Sequence, residues 1–568
     1  MKNYVGLACT VHDPAVAIVD SNGALVFAEA TERRSQNKRA HQRPPDDPIE
    51  VGRILRAYAE PDADIVIALS WKRRTWHSLA ARAAFLASQW RLSPLLRPTL
   101  VGQTNAFDLA GLNLRYRLHE AAPNKPAPET RGYDHHLVHA ATACWSSPFE
   151  EAVCAVIDAN GESASVAFYS YDCGRLTRLD PEPLRGFGKN GSLGAFYAGL
   201  CFACGFDPVA GEEWKVMGLA PYGKKDDALY RTLRGWFKVD GLALIANNFE
   251  VLRQFEAMRK HPPAAPLEMR DLAHTGQAVF EDIATELLSN LAAQTPSKNL
   301  VLSGGCALNS SFNGKVLERT GFESLYVFCA PADDGNAVGA ALLAYHDDHP
   351  VERAPAALRT PYLGSSVDPT TLQRLQTLGG LKNSLATGES AMRRAAELIA
   401  QEKIVAVFSG PAEFGPRALG NRSILADPRS SKMKDRLNSE VKFREEFRPF
   451  APSVLDEHAS AWFEHYQPSP YMERTLRFRP ERCAEVPAVV HVDGTGRLQT
   501  VSKELSPRFH ELITHFHSLT SVPMVLNTSF NVMGKPIVHS VEDAISVFFT
   551  SGIDALVIED CLFEKHAR

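Results

Sequence analysis

Residues 4–32, YVGLACTVHDPAVAIVDSNGALVFAEATE, decide the fold because they read as β-strands joined by tight turns. Apolar, β-rich runs are broken at His12–Pro14 and again at Ser-Asn-Gly, which is a hairpin signal. Residues 151–179, EAVCAVIDANGESASVAFYSYDCGRLTRL, repeat this arrangement, with an apolar strand that ends at Asp158. The repetition predicts two similar α/β halves.

Two further predicted strands end in glycine-containing turns. Residues 298–316, KNLVLSGGCALNSSFNGKV, carry an apolar run into Gly304 and Gly305 before a helix begins. Residues 323–345, ESLYVFCAPADDGNAVGAALLAY, end in Asp333, Asp334 and Gly335 before a helix of small residues. Glycines at such turns let the backbone approach a phosphate, and a helix N-terminus favours anions. Strands with polar tips of this kind are typical of sugar-kinase, actin and chaperone ATPases, so we predict an actin-like (ASKHA), two-lobed α/β domain.

Length and composition bound the function. The 568 residues are too many for one hydrophobic core, and a net charge of -5 gives no electrostatic reason to expect a nucleic acid or an anionic membrane as partner. No apolar run approaches the ~20 residues of a membrane helix, and the N-terminal sequence is unlike a signal peptide. The ten cysteines are then expected to be reduced thiols, and the protein cytoplasmic.

The chain is expected to contain two domains. Residues 351–366 are rich in proline and polar groups and predict a linker. Residues 1–350 then form the first domain, and residues 367–568 form a second α/β domain. This second domain contains clusters of arginine although the whole chain is acidic.

The stretch YDHHLVHA at residues 133–140 raises the question of a metal site. On a helix, His135 and His139 lie on one face and can chelate one ion, whereas His136 faces elsewhere. Asp158 and Asp333, at two strand tips, are available as carboxylate ligands, and such a donor set suits iron, zinc or manganese. Structural histidines and turn-capping aspartates are the alternative interpretation.

Residues 410–429, GPAEFGPRALGNRSILADPR, and 438–454, NSEVKFREEFRPFAPSV, place cations among glycine, proline and apolar residues. These cations are Arg417, Arg422, Lys442, Arg444 and Arg448. Residues 523–538, PMVLNTSFNVMGKPIV, add neutral polar groups where an apolar strand ends. Arginine binds phosphate and carboxylate in bidentate fashion, so the pattern favours an anion pocket over a salt-bridged surface.

Taken together, these motifs resemble those of the O-carbamoyltransferase family that includes the nodulation-factor, cephamycin, aminoglycoside and ansamycin enzymes. The matching pieces run nearly end to end and in the same order. They include HDPAVAIV, HHLVHA, DANGE, EEWKVMGLAPYG, SGGCALNSSFN, DDGNAVGAA, FGPRALGNRSILADPR, KFREEFRPFAPSV and VLNTSFNVMGKPIV.

The resemblance implies a Kae-type, actin-fold N-terminal half that transfers carbamoyl groups and a YrdC-like C-terminal domain that makes carbamoyl adenylate. Carbamoyl phosphate loses its phosphate, and the carbamate attacks the α-phosphate of ATP, supplied with Mg²⁺, to release pyrophosphate. A hydroxyl of a small-molecule natural product then attacks the carbamoyl carbon and releases AMP. The oligomeric state stays open, a homodimer being one expectation.

The sequence disfavours two other enzyme classes. A tRNA threonylcarbamoyl-transfer enzyme calls for an RNA-binding basic face, which the sequence does not indicate. An actin-fold small-molecule kinase leaves the arginine-rich second domain unexplained.

The resemblance also implies roles for individual residues. His12 matches a general base for the acceptor hydroxyl, since imidazole titrates near neutral pH. The implied ligands of a metal ion, Fe²⁺ first and Zn²⁺ or Mn²⁺ otherwise, are His135, His139, Asp158 and Asp333. The implied carbamoyl-phosphate pocket consists of Arg417, Lys442, Arg448 and Ser529. The implied nucleotide contacts are Lys38, Gly304, Gly305, Asn309, Arg497 and Asn527. The acceptor pocket is expected to be lined by residues 70–98 or 239–270.

Overall fold

The computed structural model describes residues 1–72, 106, 109–179, 190–260, 264–350, 358, 360–378 and 389–565. Most of the first expected acceptor-lining stretch, residues 73–98, lies outside the described residues. The chain divides into two compact units. The first unit comprises Met1–Ser35, Arg39–Leu308 and Lys315–Arg359, and the second comprises Gln36–Lys38, Asn309–Gly314 and Thr360–Arg568.

The first unit contains two five-stranded sheets with the same strand order. The strands of the first sheet are β1 (Lys2–Ala8), β2 (Ala15–Val19), β3 (Leu25–Ala30), β4 (Asp64–Leu69) and β5 (Glu129–Gly132). Those of the second sheet are β6 (Glu151–Ile157), β7 (Val166–Asp172), β8 (Arg175–Arg178), β11 (Asn299–Ser303) and β12 (Ser324–Val327). A short hairpin of β9 (Lys238–Asp240) and β10 (Ala243–Ile245) lies between β8 and β11 in the chain.

The orders β3-β2-β1-β4-β5 and β8-β7-β6-β11-β12 are equivalent. In each sheet three antiparallel strands are followed by two parallel strands. The repeat that the sequence predicted between residues 4–32 and 151–179 is therefore the hairpin portion of each lobe. The duplicated sheet confirms the two-lobed, actin-like α/β class.

Helices follow the strands in both lobes. The α-helices of residues 1–350 are α1 (Thr31–Ser35), α2 (Pro48–Tyr58), α3 (Leu112–Ala121), α4 (His135–Ser146), α5 (Leu193–Ala203), α6 (Glu213–Leu219), α7 (Asp227–Arg234), α8 (Asn248–Met258), α9 (Arg270–Ala293), α10 (Ser310–Asn313), α11 (Val316–Arg319) and α12 (Asn336–Asp348).

Helices α4 and α12 each pack on the sheet of the opposite lobe. Helix α4 follows β5 of the first sheet but packs on β6, β7 and β11, whereas α12 follows β12 of the second sheet but packs on β1, β2 and β4. The two helices also pack on each other, and a Cβ at Gly339 would lie 2.2 Å from the Val138 carbonyl oxygen. The small residues that the sequence shows in α12 are thus required by close packing, which brings the start of α12 near α4.

The second unit is built on one eight-stranded mixed sheet of order β16-β17-β15-β18-β14-β13-β19-β20. Its strands are β13 (Val405–Phe408), β14 (Arg422–Ala426), β15 (Ala451–Leu455), β16 (Arg474–Arg477), β17 (Thr495–Val501), β18 (Met524–Ser529), β19 (Ala555–Ile558) and β20 (Cys561–Glu564). Its further helices are α13 (Pro369–Leu378), α14 (Glu389–Ala400), α15 (Met433–Leu437), α16 (Asp456–Ala459), α17 (Pro507–Thr520) and α18 (Val541–Thr550).

A large apolar core, which includes Phe463, Phe516 and Leu526, supports this sheet, so the C-terminal part is a second α/β unit with a core of its own. No helix formed by the described residues of the chain combines the length and the apolar composition needed to cross a membrane.

Candidate functional site

Helix α4 begins at the histidine motif. Asp134 caps its N-terminus, where the Oδ1 atom accepts a hydrogen bond of 3.2 Å from the Leu137 N–H. The helical spacing then places His135 and His139 one turn apart, and both side chains are buried. Asp158 follows β6 directly, and Asp333 follows β12 at the turn that leads into α12. Two strand tips and one helix therefore converge on one point.

The structure brings together all four predicted metal ligands. The His135 Nε2 atom lies 3.2 Å from Asp158 Oδ2 and 3.4 Å from Asp333 Oδ1. The His139 Nε2 atom lies 3.3 Å from Asp333 Oδ1 and 3.7 Å from Asp158 Oδ2. One donor atom from each residue falls within 4.8 Å of all the others. We call His135, His139, Asp158 and Asp333 the His2Asp2 cluster.

The electrostatics of this cluster favour a bound cation. Burial on its own lowers the pKa of His135, but the carboxylates of Asp158 and Asp333 outweigh it and raise that pKa to about 10. Burial on its own raises the pKa of Asp333, but His135 and His139 hold that pKa well below its usual range. The cluster thus retains positive charge strongly, as either a proton or a metal ion.

The donor set fits a transition metal ion. The buried His139 Nε2 and Asp333 Oδ1 atoms have no hydrogen-bond partner among the described residues, although they lie only 3.3 Å apart. Two imidazole nitrogens and two carboxylate oxygens are ligands that iron, zinc and manganese accept. His136 is buried outside the cluster, and burial together with His135 lowers its pKa to about 3.

His12 lies beside the His2Asp2 cluster, in the turn between β1 and β2. Its Nδ1 atom lies 3.0 Å from Asp13 Oδ2 and 3.6 Å from Asp333 Oδ2. A carboxylate at Nδ1 favours the tautomer that carries its proton on Nδ1, which leaves Nε2 as the basic nitrogen. The geometry suits a general base next to a metal centre, and this role stays a prediction.

The predicted nucleotide residues near β11 fall in two places. Gly304 has φ +88° and a Cβ there would lie 2.4 Å from the Ile157 carbonyl oxygen, so this turn requires glycine. The Gly305 N–H donates to Asp158 Oδ1 at 3.0 Å, which ties the glycine turn to the metal ligand. Asn309 caps α10, and both Asn309 and Lys38 group with the second unit. Their contacts with a nucleotide stay predictions.

The second unit contains a group of cations, Arg417, Lys442, Arg444, Arg448 and Arg497, which we call the cationic cluster. Burial, and then the charges of other members, lower the pKa of Lys442 and Arg497 well below their usual ranges. Burial lowers the pKa of Arg417 to about 10, and burial with the nearby Arg448 lowers that of Arg444 to about 9. Positive charges are thus concentrated where acidic neighbours compensate them only weakly.

Lys442 connects this cluster to the strand end at Ser529. Its Nζ atom donates to Asn531 Oδ1 at 2.7 Å and to Ser529 Oγ at 3.3 Å. Arg448 Nη1 pairs with Glu445 at 3.2 Å. By contrast, the side chains of Arg417 and Arg497 have neither a hydrogen bond nor an ion pair within the described part of the protein. Their guanidinium groups are therefore available to an anion.

Two polar residues of the second unit use their side chains in hydrogen bonds within the protein. Asn527 is buried, and its Nδ2 atom donates to Ser453 Oγ at 3.0 Å and to Gln499 Oε1 at 3.1 Å, so its nucleotide role stays a prediction. Arg422 is fully buried, donates to the carbonyl oxygens of Ser409 and Gly410, and stacks on Phe408. The interpretation that Arg422 belongs to the anion pocket is wrong, because both terminal nitrogens of its buried guanidinium donate to backbone carbonyl oxygens.

Comparison with protein families decides the affiliation. The family described as "Carbamoyltransferase N-terminus" matches residues 3–342, and that described as "Carbamoyltransferase C-terminus" matches residues 396–565. The chain belongs to the carbamoyltransferase family. It is an enzyme of the carbamoyltransferase class, as the motifs predicted.

The chain is also similar to individual proteins and solved structures. The uncharacterized protein sll1178 of Synechocystis is 32% identical, with 100% of this chain and 97% of that protein covered. The nodulation protein NolNO of Sinorhizobium fredii is 37% identical, with 85% of this chain and 71% of that protein covered. Among solved structures, full-length HypF in its phosphate- and nucleotide-bound form covers 61% of this chain and 47% of that chain, with a TM-score of 0.36 and 13% identity.

Sequence reasoning missed two charged residues of this carbamoyltransferase. Arg39 donates to Asp13 Oδ2 at 2.9 Å and thereby holds the carboxylate that contacts His12. Glu213, at the start of α6, has its pKa raised by burial, while Arg39 opposes that rise. Glu213 belongs to the quoted motif EEWKVMGLAPYG, whereas Arg39 lies outside the quoted motifs, and nothing in their spacing indicated that they would lie near His12.

Proposed function

We propose that this carbamoyltransferase makes carbamoyl adenylate in its second unit and transfers the carbamoyl group to a hydroxyl in its first unit. Carbamoyl phosphate and water give carbamate and phosphate. Carbamate and ATP, supplied with Mg²⁺, then give carbamoyl adenylate and pyrophosphate. The acceptor hydroxyl and carbamoyl adenylate finally give the carbamate ester and AMP. The proposed acceptor is a hydroxylated small-molecule natural product.

The cationic cluster is the observation that carries this proposal. Carbamoyl phosphate and ATP are both polyanions, and a site for them needs several cations that are not already paired with acids. Arg417 and Arg497 meet that condition among the described residues, and Lys442 is held beside Ser529. A structural salt-bridge network would instead show acidic partners for most of these cations.

For the first half-reaction, we assign Arg417, Lys442, Arg448 and Ser529 to carbamoyl phosphate. We assign Arg497 and Asn527 to the nucleotide. Burial, and then mutual repulsion, lower the pKa values of Lys442 and Arg497, and bound phosphate groups would offset both effects. The cluster thus holds two reactants together in one site.

For the second half-reaction, we assign His12 as the general base and the His2Asp2 cluster as the metal-binding group. His12 takes the proton of the acceptor hydroxyl on Nε2 while Asp13 accepts a hydrogen bond from Nδ1. A divalent ion, when bound by the four ligands, supplies Lewis-acid polarisation to the adenylate phosphate. Gly304 and Gly305 are assigned to the adenylate. Residues 1–350 and 367–568 are the proposed domains for the two half-reactions.

The experiment is incubation of the full chain with isotopically labelled carbamoyl phosphate, ATP, Mg²⁺ and Fe²⁺, with a panel of hydroxylated natural products. We expect pyrophosphate and AMP in equal amounts, with one labelled carbamoyl group gained by an acceptor. Omission of either carbamoyl phosphate or ATP is expected to abolish the mass gain.

Release of ADP rather than AMP, or phosphorylation of the acceptor without carbamoyl phosphate, would contradict the proposal and favour an actin-fold kinase. Tight, salt-dependent binding of tRNA with modification of its bases would instead favour threonylcarbamoyl transfer.

A further inference from the structure

Asn336 begins α12 and lies against the metal-binding histidine. Its side chain is fully buried, and its Nδ2 atom lies 3.5 Å from His135 Nδ1. Its Oδ1 atom is buried and has no hydrogen-bond partner among the described residues. A buried amide oxygen without a partner costs about 1–3 kcal/mol, so this orientation of the amide is unfavourable.

A rotation of the Asn336 amide by half a turn resolves this problem. The nitrogen and oxygen atoms of an asparagine amide are interchangeable in shape, and their assignment is made from hydrogen bonding. After rotation Oδ1 faces His135 Nδ1 and accepts a hydrogen bond from the Nδ1–H group. A histidine that binds a metal ion through Nε2 carries its proton on Nδ1, and such histidines nearly always donate that N–H to an acceptor.

Trp71 covers one face of the His135 imidazole. Its ring stacks on His135 with the ring centroids 4.1 Å apart and an angle of 25° between the planes. The chain next to Trp71 is tied to the start of α4 through Glu162, which accepts from the Lys72 N–H at 3.1 Å and from the His135 N–H at 2.9 Å. The ring of His135 is thus fixed from one edge and one face.

We infer that Asn336 is a positioning residue for the proposed metal centre, and that it selects the His135 tautomer whose Nε2 atom binds the ion. This inference rests on the proposed metal site. Trp71 also serves as an internal reporter, because a paramagnetic ion held by the imidazole on which it stacks quenches indole fluorescence.

The test is titration of the metal-free full chain with Co²⁺, followed by its visible absorption and by tryptophan fluorescence. We expect Asn336→Ala to weaken Co²⁺ binding about 10- to 100-fold, which is the usual loss when an outer partner of a ligand histidine is removed. Asn336→Asp, whose carboxylate also accepts from Nδ1, is expected to restore binding. Trp71→Phe is expected to bind Co²⁺ but to lose most of the fluorescence quenching.

The controls separate this inference from the metal site itself. His135→Ala is expected to abolish Co²⁺ binding, and a wild-type chain that binds no Co²⁺ would overturn both the site and the inference. Unchanged affinity in folded Asn336→Ala, with normal binding by the wild type, would overturn only the role of Asn336. If Asn336→Ala does not fold, Asn336→Ser, which is too short to reach His135, makes the same comparison with Asn336→Asp.

Discussion

Substitution of His139 tests whether the His2Asp2 cluster binds metal. Its buried Nε2 atom lacks a hydrogen-bond partner among the described residues and lies 3.3 Å from Asp333 Oδ1. We expect His139→Ala to lose bound metal, because three donors remain where four converge. His136→Ala is a matched control, since His136 is an equally buried neighbour outside the cluster, and we expect it to keep its metal. Metal-to-protein ratios from mass spectrometry after reconstitution with Fe²⁺ decide the case, and loss of metal from the control alone would contradict the assignment.

Substitution of Arg417 tests whether the cationic cluster binds anions. Burial lowers its pKa to about 10, and no protein group in the described residues pairs with it. A ligand that binds the folded state raises the melting temperature, so inorganic phosphate should stabilise the wild type. We expect Arg417→Ala to lose most of this phosphate-dependent shift. Arg482→Ala, which removes a half-buried arginine paired with Glu485 at 2.9 Å, should retain it, and an equal loss in both variants would indicate non-specific ionic effects.

The secondary structure and the strand-tip residues were largely predictable, whereas the tertiary neighbours were not. Asp158 and Asp333 were predictable as members of the His2Asp2 cluster because each directly follows an apolar run and the family motifs identify them. Helices α4 and α12 each pack on the sheet of the opposite lobe because of the path of the chain. The local hydrophobic periodicity of the sequence does not indicate that path. Arg422 has the same glycine-rich surroundings as Arg417 in the sequence, yet only the fold brings backbone carbonyl oxygens to both of its terminal nitrogens.

The turn after β11 tests whether a glycine-dependent backbone supports the site. Gly304 has φ +88°, and a Cβ there would lie 2.4 Å from the Ile157 carbonyl oxygen. Gly241 has φ +60°, and a Cβ there would have no neighbouring atom within 4 Å. A left-handed conformation alone costs a non-glycine residue about 1–2 kcal/mol. We expect Gly241→Ala to cost no more than that, and Gly304→Ala to cost more because the β6–β11 contact must also shift. Thermal unfolding of both variants measures the difference, and equal melting temperatures would contradict the close approach.

The chain has two compact units, and each contains its own cluster of charged residues. The His2Asp2 cluster lies entirely in the first unit, and all five members of the cationic cluster lie in the second. If each unit performs one half-reaction, a substitution in one cluster should leave the other half-reaction intact. Additivity of this kind is expected for sites that share no contacts.

We therefore expect Arg417→Ala to form no carbamoyl adenylate from carbamoyl phosphate and ATP, yet to carbamoylate an acceptor when carbamoyl adenylate is supplied. His139→Ala should show the reverse pattern, with pyrophosphate release retained and acceptor carbamoylation lost. The measurements are pyrophosphate release and acceptor mass gain, each made on both folded variants. Equal loss of both half-reactions in either variant would contradict the separation, because a single shared active site predicts that damage to any of its charged groups stops the entire sequence.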